Sequence, residues 1–161
     1  EGGCLDDNMA MLQIDPTKGN SAFGSGLHGW AFTLTKFARL YSEKFKIDLN
    51  KMMEKLWGDN YYDGAASKWK KSNMADDGKP MDRCFVKFIM DPIVKITTAI
   101  MNNNKERTFK MCASLGIELK EADRNELEGK ALMKKIFQIW INAAEALLEL
   151  IVLRLPSPKT A

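Results

Sequence analysis

Three glycines in the stretch FGSGLHGWAF, residues 23–32, satisfy a nucleotide-binding template letter for letter. Gly24, Gly26 and Gly29 fall as G-x-G-x-x-G, the pattern that brings backbone amides close to a dinucleotide pyrophosphate. That chemistry also needs a βαβ unit of about 30 residues and an acidic residue roughly 20 positions further on, at the end of the next strand. Only a short strand, residues 21–23, fits before Gly24. Beyond the following helix the chain enters KIDLNKMM, where Asp48 reads as the N-cap of a second helix. The two readings separate cleanly: a dinucleotide enzyme requires a buried parallel strand near Asp48, and the alternatives require a helix. The simplest alternative is conformational, with glycines supplying positive φ and letting the next helix pack close.

Other reactive side chains are sparse. His28 is the only histidine, and no carboxylate or nucleophile is indicated beside it, so it reads as structural. The three cysteines, Cys4, Cys84 and Cys112, are odd in number and widely spaced, which argues against a disulfide framework and against zinc. Cys84 and Cys112 sit among apolar residues and read as buried free thiols of a reducing compartment. Asn50-Lys51-Met52-Met53 approaches the N-K-x-D guanine motif, but Met53 cannot accept the bonds that a carboxylate takes from guanine N1 and N2. No G-x-x-x-x-G-K-[ST] segment is present to hold phosphates and Mg²⁺, and no D-x-x-G segment. Lys68, Lys70 and Lys71 surround Trp69, a basic and aromatic edge able to touch RNA or an acidic protein; the plain alternative is a solvated hairpin with one packed Trp.

These residues need a scaffold. The chain has 161 residues, 45% of them apolar and 28% charged, an ordinary globular mixture long enough for a real core. A net charge of +3 does not by itself predict nucleic-acid binding. The first residues have no basic and apolar leader pattern, and the longest apolar stretch, near the C-terminus, is broken by Glu145, Glu149 and Arg154, so no membrane span is expected. The chain lacks an initiator Met and stops abruptly after PSPKTA; both ends read as cuts in a longer protein.

Along the chain, MAMLQI (residues 9–14) reads as a strand and residues 15–20 as a turn cluster. A helix capped by Thr33 or Thr35 carries Leu34, Phe37, Ala38, Tyr41 and Phe45 at helical spacing, with Trp30 and Phe32 packing on it. A second runs from Asp48 to a stop at Gly58. Residues 60–71 form a hairpin around Asp63-Gly64. A long helix spans residues 82–101 with a kink or break at Pro92, and a shorter one covers 105–115 and stops at Gly116. Residues 117–119 read as a brief strand and 127–140 as a helix. Asn142 with Glu145 resembles a capping box opening the last helix, 143–155, which Pro156 ends.

Taken in order, FGSGLHGWAFT, FARLY, MMEKLWGD, GKALMKKI and AALLELIVLRLPSP resemble the elongation factor 2 family, the eukaryotic ribosomal translocases. The resemblance runs over most of residues 9–161. A related spliceosomal GTPase family shares LWGD and the closing PSP but not GLHGWAF in this form. The resemblance implies an α+β, mostly helical chain with three parts. Residues 1–40 would be the C-terminal strand, guanine-contacting loop and helix start of a P-loop-type G domain. Residues 41–140 would be its inserted G-prime subdomain, with the hairpin, and 141–161 the final helix and linker. It also implies that Ser25, Gly26 and Leu27 meet the O6 edge of guanine rather than phosphates, so that the G-x-G-x-x-G match is accidental. The parent would bind GTP or GDP with Mg²⁺ and move tRNA and mRNA through the cytoplasmic ribosome, contacting acidic stalk proteins, with Lys68, Trp69, Lys70 and Lys71 as candidate contacts. The fragment would be monomeric, inactive alone and without a cofactor, keeping at most a remnant of the guanine site.

Overall fold

The computed structural model describes residues 14–155 and Pro158. Among them the chain is α+β, with seven α-helices and two small antiparallel hairpins. The expected strand over residues 9–14 lies outside the described residues but for Ile14, and Cys4 lies outside them. The turn cluster forms a single 3-10 turn, Pro16–Lys18, capped by the Asp15 carboxylate and closed by Gly19 at φ 66°.

The glycine-rich stretch folds as a hairpin, not as a strand running into a helix. Strand β1 (Ala22–Ser25) pairs antiparallel with β2 (Trp30–Thr33), with Ala22 opposite Thr33 and Ser25 opposite Trp30. The second strand corrects the expectation that residues 30–32 merely approach a helix. Phe32 does pack on that helix, its ring 4.9 Å and edge-on to Phe37, but from a strand. Aromatic and β-branched residues suit that half-buried pleat. Helix α1 (Leu34–Phe45) then buries Leu34, Phe37, Ala38 and Tyr41. Thr33 holds its N-cap position but not as a cap: its hydroxyl donates to Glu149 Oε2 at 3.1 Å, over a hundred residues away in sequence. Helix α2 (Leu49–Leu56) is capped as expected, the Asp48 carboxylate accepting from the N–H groups of Asn50 and Lys51. Strands β3 (Tyr61–Asp63) and β4 (Lys68–Lys70) make the second hairpin.

The long helix starts at Cys84, two residues later than expected, and runs through Pro92 without a break. A wide turn of π type over Val86–Met90 leads into α3 (Asp91–Met101), with Pro92 in its first turn. Pro92 has no N–H to give the carbonyl of Phe88 four residues back. The buried Tyr41 hydroxyl donates to that carbonyl instead, at 2.6 Å, and burial pushes its pKa up to about 12. Helix α4 (Lys105–Ser114) ends before Gly116 at φ 74°. Residues 117–119 are not a strand, and no partner strand lies beside them among the described residues; Ile117 and Leu119 are buried by packing. A short helix α5 (Glu121–Glu126) follows, with no buried residue and hence no periodicity to announce it. Helix α6 (Gly129–Trp140) buries Leu132, Met133, Ile136, Phe137 and Trp140. Helix α7 (Ala143–Arg154) is opened by Asn142, whose side chain accepts from the Ala144 N–H at 2.8 Å.

One hydrophobic cluster joins β2, α1, α2, α3, α4 and α6, and the boundary expected between residues 40 and 41 falls inside α1. Cys84 and Cys112 are buried free thiols, as expected, and burial raises both to about 11. Helix α7 is the exception to this packing. Of its described side chains only Ala146 is buried, while Leu147, Leu148, Ile151, Val152 and Leu153 are exposed.

Candidate functional site

The three glycines of the template serve three different ends. A Cβ on Gly24 would meet the Trp30 carbonyl oxygen at 2.7 Å and the Ala31 Cβ at 2.8 Å, so the hairpin itself requires glycine there. Gly29 sits at φ 66° and closes the turn, its N–H donating to the Ser25 carbonyl at 2.9 Å. Gly26 has neither reason: a Cβ there would meet nothing within 4 Å and its φ is not positive. Folding explains two glycines of the motif and leaves the middle one.

The connection between β1 and β2 is the four-residue turn 26–29, so Ser25, Gly26 and Leu27 stand at its leading edge. Leu27 is 89% exposed, although a leucine at a turn tip gains nothing from water. The Ser25 hydroxyl accepts from the His28 N–H at 3.4 Å, which turns it toward the loop's own backbone. His28 is exposed at the tip of the turn. The N–H groups of Gly26 and Leu27 make no hydrogen bond among the described residues. With the Ser25 O–H, which the bond from His28 leaves free to donate, they are the donors this loop offers.

The turn is one wall of an open depression of about 470 Å³. The opposite wall is α6, with Lys130, Met133, Lys134 and Phe137. Nothing in the sequence brings these two segments together. The periodicity of α6 predicts a buried face, but not which distant turn its exposed face meets.

The basic edge is divided by its partners. Lys70 is held between Asp63, at 3.5 Å, and Asp76. Trp69 packs among Phe45, Tyr62 and Phe88, with the Lys55 ammonium 5.0 Å over its ring. Lys71 donates to Asn60 Oδ1. Lys68 is exposed and in no ion pair among the described residues, so of the four it alone is wholly available to a partner.

Asp63 is buried at the hairpin turn and accepts from the N–H groups of Ala65 and Ala66 at 3.0 and 3.1 Å. These bonds, that of Ala66 foremost, hold its carboxyl below 3.8, and the Asp76 bond holds Lys70 above 10.5. A depressed carboxyl pKa stabilises the fold fully above the ordinary value and fades as pH falls through the folded one. A raised lysine pKa stabilises fully below its ordinary value and fades as pH rises through the folded one. The hairpin is therefore expected to hold unchanged from about pH 5 to 10 and to loosen below about pH 4. The Trp69 indole N–H resonance, followed across an acid titration, reads this directly. Asp63→Asn should flatten the acid limb; an unchanged limb would assign it to other carboxylates.

The dinucleotide alternative does not survive. Helix α2 follows Asp48 where that reading requires a strand, and the described strands form two separate antiparallel hairpins with no parallel pair. Among the described residues no cluster of three or more His, Cys, Asp or Glu is placed to hold a metal, and no helix is long and apolar enough to cross a membrane. No protein-family model matches the chain.

Proposed function

We propose that this chain is part of a translation elongation GTPase resembling elongation factor 2. It would comprise the end of the G domain, with its guanine-contacting loop, and the subdomain inserted between that loop and the final helix. The observation that carries the reading is the meeting of the two flanks. Trp30 bridges to Asn142, the Ala31 N–H donates to the Ile141 carbonyl at 3.3 Å, and Thr33 donates to Glu149. The roughly hundred residues between leave this place and return to it, as an insertion must if it is to sit in a domain without disturbing it. Gly26 and the open amides of the turn fit a loop that lets a flat base approach the backbone.

On this reading the chain is a non-catalytic interaction module. The phosphate and Mg²⁺ groups belong to the rest of the parent, whose reaction is GTP hydrolysis coupled to movement of tRNA and mRNA on the cytoplasmic ribosome. The inserted part faces partners, acidic stalk proteins among them, with Lys68 as the available cation of its hairpin. The coding sequence upstream of Glu1 tests the proposal: it should contain a G-x-x-x-x-G-K-[ST] segment and a D-x-x-G segment. The purified chain alone should release no phosphate from GTP above buffer. An upstream region without the P-loop, or hydrolysis by the chain alone, would overturn the reading.

A further inference from the structure

We propose that α6 supplies the second half of the base-contacting site, with Lys130 and Lys134 donating to the acceptor edge of a guanine held at turn 26–29. This rests on the reading of that turn as guanine-contacting and extends the site into the inserted subdomain.

The two lysines lie four residues apart on one face of α6, so their side chains run side by side. Both are exposed and neither is in an ion pair among the described residues, whereas Lys105 and Lys135 each have an acidic partner. Across the depression stand the free N–H groups of Gly26 and Leu27. No carboxylate lines the space, and Met133 and Phe137 give it an apolar floor. The site thus presents donors on two walls over a surface suited to a flat ring. Guanine shows two adjacent acceptors, O6 and N7, on the edge that would enter; adenine shows N7 beside an amino donor. An ammonium facing that amino group has nothing to receive its proton, and a donor left unpaired against a donor costs binding. A pocket whose two cations and open amides all donate therefore favours guanine, with His28 the one lining side chain that can also accept. The competing role for the lysines, a merely solvated helix face, predicts no difference between the bases.

The ¹⁵N-labelled chain separates these by chemical-shift titration with GMP, AMP and inorganic phosphate, each to the order of 10 mM, where weak binding is still visible. GMP should move the amides of Gly26, Leu27, Lys130 and Lys134 together, with an affinity roughly fivefold or more above that of AMP. The double variant Lys130→Ala/Lys134→Ala should keep the wild-type thermal midpoint and lose that preference. Equal response to GMP and AMP, or the same shifts from phosphate alone, would overturn the proposal. A response at the turn that ignores α6 and survives in the double variant would sink the share given to α6 and leave the guanine loop standing. Silence at both elements would count against the loop as well.

Discussion

Gly24→Ala is expected to cost about 1–3 kcal/mol of stability, while Gly26→Ala, two residues away in the same motif, should cost less than about 0.5 kcal/mol. The difference lies in what each new methyl meets. At Gly24 it enters the space of the Trp30 carbonyl and of Ala31 on the paired strand, atoms that cannot rotate away. Relief requires β1 and β2 to part, and they are pinned on both sides. Phe23 packs between Trp57 and Phe85, with centroids 5.5 and 5.1 Å away, and Ala31 bonds to the Ile141 carbonyl. Strain there reaches the junction where the two ends of the inserted region meet. At Gly26 the methyl enters open space beside the depression. Urea unfolding of both variants decides this, since a shift in midpoint at unchanged slope is a change in stability. Equal losses would mean that the turn, not the strand contact, limits the hairpin. Gly26→Ala also has a functional use: it should leave the fold intact while narrowing the approach of a ring to the Gly26 and Leu27 amides.

Much of the scaffold is legible from residue types because local chemistry decides it. Asp48 and Asn142 cap because a short oxygen-bearing side chain satisfies the first free amides of a helix, and both do so here. Gly58 and Gly116 take positive φ where the helices stop, and Asp63-Gly64 opens a real hairpin. What local chemistry does not decide was misread. WAFT serves equally as a helix approach and as a strand, and only its pairing with AFGS selects the strand. Ile117 and Leu119 alternate like a strand but find no strand to pair with among the described residues. EADRNE forms α5 with no apolar stripe. Pro92 does not break its helix, because a wide turn precedes it and the Tyr41 hydroxyl pairs with the carbonyl that its missing N–H leaves open. The candidate site divides the same way. The turn and its unneeded glycine are visible in ten letters, but the arrival of Lys130 and Lys134 is a tertiary event that no spacing records. Lys68, Lys70 and Lys71 look alike in sequence, and only the positions of Asp63, Asp76 and Asn60 tell them apart.

The outer face of α7 is expected to drive weak association of the isolated chain, in place of the monomer that the resemblance implies. Leu147, Leu148, Ile151 and Val152 fall at i, i+1, i+4 and i+5, one stripe along the helix, with Leu155 just past its end, and each exposes 54–68% of its surface. Five such side chains make a patch on the order of 500 Å², within the range that marks a contact surface on a soluble domain. Two copies meeting through it would bury about 1,000 Å², the low end of specific interfaces, so the affinity should be nearer micromolar than nanomolar. Sedimentation velocity over roughly 5 to 200 µM should show the average mass rising with concentration. Leu147→Glu/Ile151→Glu, on the side of α7 away from the cleft lined by Lys36 and Arg39, should shift that rise at least about tenfold upward, because a carboxylate cannot be buried there without a partner. The same variant should keep the wild-type thermal midpoint, since both positions already face water. A single mass at every concentration would show that the stripe is tolerated bare. A lowered midpoint would show that it already packs on this chain. The bare stripe also connects to the proposed parent. A helix bound to the body through its start, Ala146 and Glu149, and apolar on its far side, is built to lie between two layers. Placed in the longer protein, the same two glutamates should then destabilise the fold, reversing their effect in the isolated chain.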